Sequence, residues 1–282
     1  MMQQRRFIQC DVFSLQPTRG NALAVVLDGN RLEDDAMRRF ARWTNLAETT
    51  FLFPPTHPDA DYHVRIMTPD REMPFAGHPT LGSCAAWLHA GGEPKEQGIV
   101  RQECGVGIVE IDLSGDMPAF ISPPTKIEPM APVVLADIVE TLKIDPTQVV
   151  RHAVLDNGPV WFALELQSAK QVLSVDSSLV VWPNERYIGL IGQHETGHEC
   201  DFEVRMLSAT SSRNEDPITG SLNSALAHWR LHNNELNKPI VVAQGTCVDC
   251  LGRVSITPNP EVPGQVRIGG NTSIMIEGTV TL

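Results

Sequence analysis

The chain has 282 residues, 42% of them hydrophobic and 20% charged, enough apolar material for a full core and too much for a disordered chain. Its 34 acidic residues against 22 basic ones leave a formal charge of −12, which argues against nucleic acid or an anionic membrane as partner, since either selects a basic surface. The early apolar stretch Ile8 to Val12 is interrupted by Gln9, Cys10 and Asp11, so no secretory signal is expected, and no apolar run approaches the roughly 20 residues of a membrane span.

In chain order, Phe7 to Phe13 and Ala22 to Leu27 read as strands joined by a turn through Pro17 to Asn21. Glu33 to Trp43 reads as a helix, with Met37, Phe40, Ala41 and Thr44 at helical spacing and acids in its first turn. Thr49 to Phe53 and Tyr62 to Met67 are β-rich. A second helix follows, with Leu81, Cys84, Ala85 and Leu88 on one face and Gly91-Gly92 to stop it. Ile99 to Gln102 and Gly107 to Leu113 complete a first half as strands. Met117 to Pro132 carries five prolines and is the best boundary candidate. Beyond it come a short helix around Leu135 to Lys143 and strands at Ala153 to Val154, Val160 to Leu166, Ile188 to Ile191 and Phe202 to Met206. A helix with Leu222, Ala225, Leu226 and Trp229 in register comes next. Strands at Ile240 to Ala243, Arg253 to Thr257, Gln265 to Ile268 and Ser273 to Leu282 close the chain.

Two stretches occur twice. Asp61-Tyr62-His63-Val64-Arg65 returns 140 positions later as Asp201-Phe202-Glu203-Val204-Arg205. His78-Pro79-Thr80-Leu81-Gly82-Ser83 returns 138 positions later as Asp216-Pro217-Ile218-Thr219-Gly220-Ser221. The repeat divides the chain into two domains, residues 1–125 with the C-terminal strand 273–282, and residues 126–272. Many strands and one long apolar helix per half predict an α+β fold: two pseudo-symmetric halves, each a curled mixed sheet around a central helix.

Each repeat sets a titratable side chain just before a proline at the mouth of a helix. The spacing predicts Pro79 and Pro217 at the first helical position, with His78 and Asp216 as caps. Aspartate is a preferred cap and needs no further reason; histidine is not, which makes His78 the odder of the two. The small pairs Gly82-Ser83 and Gly220-Ser221 are expected to leave first-turn N–H groups open to a carboxylate. Two similar halves meeting face to face would bring such groups onto one pocket. Glu48, between a helix end and a strand start, is an ordinary surface carboxylate by default and a candidate base if it reaches that pocket. Asn21 is a turn residue whose amide could bind a ligand. The six cysteines are scattered as in a reduced cytosolic protein, and the close pair Cys247 and Cys250 lacks a second pair, so no metal site is expected.

The runs Arg19 to Val26, Asn45 to Phe51, Pro74 to Gly82 and Glu215 to Ser221 resemble, in order, the signature of the PhzF family of phenazine-biosynthesis-type proteins, from Asp11 to the closing Ile268 to Val280 segment. The resemblance implies the diaminopimelate epimerase-like fold and a cytoplasmic homodimer without cofactor or metal. It implies a cofactor-independent isomerase that moves a proton within a small, cyclic amino- or hydroxy-carboxylate. Glu48 would be the proton-carrying base, His78 and Asp216 its partners, and Asn21, Gly77, Gly220 and Ser221 substrate contacts. Epimerases of that fold use one cysteine from each half. Neither loop here has one, which weighs against the alternative of an epimerase or dehydratase; a non-catalytic carboxylate binder is the other alternative.

Overall fold

A computed structural model describes residues 3–182, 186–209, 214–259 and 262–282. The first run of elements is β1 (Gln4–Val12), β2 (Asn21–Val26), α1 (Asp34–Thr44), β3 (Glu48–Phe53), β4 (Tyr62–Met67), β5 (Glu72–Met73), α2 (Gly77–His89), β6 (Ile99–Cys104), β7 (Gly107–Asp112) and β8 (Ala119–Ile121). The second is β9 (Lys126–Glu128), α3 (Pro132–Thr141), β10 (Val149–Asp156), β11 (Val160–Leu166), α4 (Ala169–Ser174), β12 (Tyr187–Gln193), β13 (Phe202–Leu207), β14 (Glu215–Asp216), α5 (Gly220–His232), β15 (Ile240–Gln244), β16 (Gly252–Pro258) and β17 (Val266–Gly269). A last strand, β18 (Thr272–Thr281), follows. The chain divides into two compact units, Met1–Ile121 with Gly269–Leu282, and Ser122–Ile268.

Within the first unit β1 pairs antiparallel with β2 and with β18, β2 runs parallel to β3, and β3 antiparallel to β4. Strand β4 then pairs antiparallel with β5 and parallel with β6, which pairs antiparallel with β7. The second unit repeats that sequence of pairings from β10 to β16: antiparallel, parallel, antiparallel, a two-residue antiparallel strand beside a parallel one, then antiparallel. Parallel neighbours need a crossover. Helices α1 and α4 supply the first in each unit, α2 and α5 the second. The architecture is α+β, with a mixed sheet and one long helix enclosed in each unit.

The duplicated aspartates hold this pattern together. The Asp61 N–H donates to Arg101 O (2.8 Å), and its carboxylate accepts from the N–H groups of Arg101 (2.7 Å) and Lys95 (2.8 Å). Likewise the Asp201 N–H donates to Val241 O (2.8 Å) and its carboxylate accepts from the Val241 N–H (2.8 Å). Both partners lie 140 positions apart, as the aspartates do. Each clamp starts the parallel strand that follows the central helix.

Helices α2 and α5 are buried on nearly every side, so the expected single apolar stripe is only part of what is enclosed. Close packing is achieved by opposite means. In α2 the helix gives way: a Cβ at Gly82 would lie 2.5 Å from Leu23 Cδ2 on β2. In α5 the strand gives way, where a Cβ at Gly189 on β12 would lie 2.6 Å from Leu222 Cδ1. Helix α1 lies over the other face of its sheet, burying Met37, Phe40 and Ala41 against Val26, Phe51 and Met67.

The expected helix mouths need correcting. Helix α2 begins at Gly77 after an Ala76 cap, so His78 is its second residue and Pro79 its third. Proline costs no hydrogen bond there, because the first helical N–H groups have no intrahelical partner. Helix α5 begins at Gly220 after Thr219, which leaves Pro217 outside the helix and Asp216 in β14. Neither His78 nor Asp216 is a cap. Nor do Gly82 and Ser83 open a mouth: Gly82 packs on Leu23, and the Ser83 hydroxyl donates to Thr50 Oγ1 at 2.9 Å in the interior. The elements superpose β5 on β14 and Gly77 on Gly220 at a spacing of 143, so the structural counterpart of His78 is Ser221.

Candidate active site

In the first unit the geometry begins at Asp11, a buried carboxylate on β1 that accepts from the N–H groups of Arg19 (3.1 Å) and Gly20 (3.0 Å). This fixes the turn into β2. A Cβ at Gly20 would lie 2.4 Å from Val12 O, so no larger residue fits. Asn21 follows as the first residue of β2, buried, on the same strand face as Leu23. Leu23 is in register with Glu48, the first residue of the parallel β3. Asn45, in the left-handed region (φ 54°), ends α1, and a Thr44–Thr49 hydroxyl contact of 2.9 Å fixes the turn that presents Glu48. Helix α2 packs on β2 and β3, which brings its second residue to these strand ends.

The result is a short line of polar groups. Asn21 Nδ2 donates to His78 Nδ1 at 3.5 Å, and His78 Nε2 stands 3.4 Å from Glu48 Oε2. Burial pushes the His78 pKa down to about 3, so the imidazole is neutral near pH 7 and the contact is not an ion pair. An amide nitrogen can only donate, so this contact favours Nδ1 as the lone-pair nitrogen and a hydrogen on Nε2, which faces Glu48. At 3.4 Å this is looser than a formed N–H···O bond of about 2.9–3.0 Å. Glu48, with a side chain 17% exposed, retains access to solvent while His78 has almost none.

In the second unit Asp216, Gly220 and Ser221 sit within five residues of the α5 start. The Thr219 hydroxyl donates to Asp216 Oδ2. Buried Gln244 in turn grips Thr219: its Oε1 accepts from the Thr219 N–H (3.1 Å) and from Asn223 Nδ2 (2.8 Å). Gly220 is buried and Ser221 partly exposed, with the Ser221 carbonyl accepting from Asn157 Nδ2 at 2.8 Å. Asp11, Gln102, Thr219 and Gln244 join the polar groups around these helix starts only through the fold. Neither glutamine carries a local signal: Gln102 lies within β6 opposite Tyr62, and Gln244 ends β15 opposite Val204.

Thiol chemistry finds no support. Cys84, two turns into α2, and Cys10, whose thiol donates to Gly82 O, are buried, and burial pushes both thiols up to about 12. Among the described residues no group of three or more His, Cys, Asp and Glu could hold a metal, and no helix is long and apolar enough to cross a membrane.

Comparison with known proteins shows the family and the fold. The family described as phenazine biosynthesis-like protein, PhzC-PhzF, matches residues 10–278. Antisense-enhancing sequence 1 of Schizosaccharomyces pombe is 33% identical over 98% of this chain and 99% of its own. The trans-2,3-dihydro-3-hydroxyanthranilate isomerase of Pseudomonas fluorescens is 28% identical over 98% and 99%. A crystal structure of a PhzF-family protein from Bacillus anthracis shares the fold, with a TM-score of 0.82 at 20% identity and 99% of each chain covered. The chain belongs to the PhzC-PhzF family, and several of its relatives are named isomerases.

Proposed function

We propose that this protein is a cofactor-independent isomerase that moves a proton within a small cyclic amino- or hydroxy-carboxylate, with Glu48 as the base. The observation that carries this is the approach of Glu48 Oε2 to a neutral imidazole at 3.4 Å. A hydrogen on His78 Nε2 would face the Glu48 carboxylate, and an ionised carboxylate is the form able to take a proton from carbon. Having taken it, the carboxylic acid returns it to a second carbon of the same ring, and no redox partner is needed. His78 and Asn21 also serve to bind the substrate amine or hydroxyl, with Gly77 beside them. Asp216, Gly220 and Ser221 of the second unit are assigned to the same reaction, Asp216 holding the amine or hydroxyl and the first-turn N–H groups of α5 the carboxylate. The substrate class rests on the relatives named dihydro-hydroxyanthranilate isomerases. By the same resemblance the protein is proposed to act in the cytoplasm as a homodimer, which gel filtration tests.

The deciding experiment incubates the protein with trans-2,3-dihydro-3-hydroxyanthranilate in D₂O and follows deuterium uptake by NMR. The parent is expected to incorporate deuterium, and Glu48→Gln to lose about 10²- to 10⁴-fold in rate while still binding 3-hydroxyanthranilate. Turnover of Glu48→Gln at the parent rate would sink the assignment. Tight binding of the parent without any exchange would instead favour a non-catalytic binder.

A further inference from the structure

Gln244, wholly buried at the end of β15, makes four hydrogen bonds whose directions leave no choice. Its Oε1 faces the Thr219 N–H, which can only donate (3.1 Å), and Asn223 Nδ2 (2.8 Å). Its Nε2 faces Asp216 O, a carbonyl that can only accept (3.3 Å), and Thr219 Oγ1 (3.0 Å). Backbone groups at both ends therefore fix the amide orientation. Thr219 Oγ1, already accepting from the glutamine, must point its own hydrogen elsewhere. It points to Asp216 Oδ2.

We propose that Gln244 and Thr219 are positioning residues that set the orientation of the Asp216 carboxylate by holding its Oδ2 on the Thr219 hydroxyl. This deepens, and rests on, the reading of Asp216 as a reacting-site group. The first unit carries a parallel relay: the Tyr62 hydroxyl donates to Gln102 Oε1 (3.0 Å), Gln102 Nε2 to Thr80 Oγ1 (3.0 Å), and Thr80 Oγ1 to Ala76 O (2.9 Å). There the chain ends on the carbonyl of the residue capping α2, next to Gly77 and His78. A glutamine–threonine pair thus sets the start of each central helix, and only in the second unit does it end on a carboxylate. Thr219 and Gln244 do not touch substrate; they act through Asp216.

The test is a double-mutant cycle on deuterium uptake from trans-2,3-dihydro-3-hydroxyanthranilate. Thr219→Val, which keeps shape and removes the hydroxyl, is expected to lower kcat about tenfold with KM nearly unchanged, and Thr219→Ser to recover most of that loss. Introduced into Asp216→Ala, Thr219→Val is expected to cost nothing more, since the group it positions is gone. An equal tenfold loss in both backgrounds, or none in the parent, overturns the relay. If Asp216→Ala itself turns over at the parent rate, the reading of Asp216 fails and the relay with it; if Asp216→Ala is slow but Thr219→Val is not, the relay alone fails. A substrate-free arm uses proton NMR. The Thr219 hydroxyl proton is expected to be slowly exchanging and visible in the parent and lost in Gln244→Leu, and its absence from the parent would refute the directional chain.

Discussion

Arg65 and Arg205 are the same letter of the repeated stretch in different surroundings. Arg65, on β4, forks onto Glu72 at 2.7 and 2.6 Å and also reaches Asp34 on α1, with all three side chains partly in solvent. Arg205, on β13, forks onto Glu215 at 3.0 and 2.5 Å, but both side chains are only 1% exposed. Its second terminal nitrogen donates to the carbonyls of Val172 and Val175, at and just past the end of α4. The crossover helix decides the difference. In the first unit α1 offers its acidic N-terminus to the arginine; in the second, α4 offers the carbonyl end and covers it.

A buried fork and a solvated one should respond unequally to the same truncation. Arg205→Met is expected to cost about 3–5 kcal/mol, because it strands the Glu215 charge and two carbonyls in the interior. Arg65→Met should cost less than about 1 kcal/mol, since water replaces it. Urea unfolding of both variants measures this, and equal losses would mean that the second fork is hydrated in solution.

That contrast was not readable from the duplicated letters, which are identical at both arginines. What the sequence did carry was the strand and helix order, because alternating Val and Ile runs and a 3.6-residue stripe in α1 declare themselves locally. The two-residue strands β5 and β14, β8 and β9 within the proline-rich stretch, and the six-residue α4 were not legible, since tertiary pairing rather than propensity creates them. The second repeat departs from the register of its letters for a physical reason. A match of Pro and Gly letters aligns His78 with Asp216, but the helix starts where the backbone is released. In the second unit Ile218 is wholly buried, and Gly245 and Gly252 leave room for Pro217 and Ile218, where a Cβ would come within 2.6 and 2.4 Å. This strap and the Gln244 hydrogen bonds hold the chain extended until Gly220. Asn21, Glu48 and His78 were nameable by resemblance; the 3.4–3.5 Å line that joins them needed the fold.

The units also differ in the sign of their buried titrations. In the first, His78 is held neutral to a pKa of about 3, so below an ordinary imidazole pKa of about 6.5 the unfolded chain binds a proton that the folded one refuses. Its contribution is complete above about pH 6.5 and declines as pH falls, by about 1.4 kcal/mol per unit, or about 3 kcal/mol by pH 4. Urea unfolding at these two pH values should show His78→Asn losing that much less stability than the parent; parallel curves would place the imidazole in contact with water.

In the second unit the buried group is Glu203, counterpart of His63 in the repeat. Burial raises its carboxyl to about 7, while Thr246 Oγ1 donates to it at 2.7 Å and His194 Nε2 lies 3.1 Å away. The folded chain keeps a proton here that the unfolded chain releases above about pH 4.5, so stability falls as pH rises through 7. His194 is itself pushed down by burial and by its stacked neighbour His198, so the two groups are not a charged pair at neutral pH. Glu203→Gln should therefore be more stable than the parent by about 1–3 kcal/mol at pH 8, the gain vanishing towards pH 4.5. A Glu203→Gln protein melting below the parent at pH 8 would refute this.

The smallest expected difference lies in the two aspartate clamps, which look alike and are not equally loaded. Asp61 accepts from two backbone N–H groups through separate oxygens, those of Lys95 and Arg101, whereas Asp201 accepts from the Val241 N–H. Asparagine offers one acceptor oxygen and one nitrogen that can only donate. Asp201→Asn can keep its bond to Val241 and should change stability by less than about 0.5 kcal/mol. Asp61→Asn must turn its nitrogen toward one of two N–H groups, a donor against a donor, and should cost about 1–2 kcal/mol. If the two variants unfold at the same urea concentration, the Lys95 N–H is already satisfied by water, and the extra bond in the first unit contributes nothing to holding β6 beside β4.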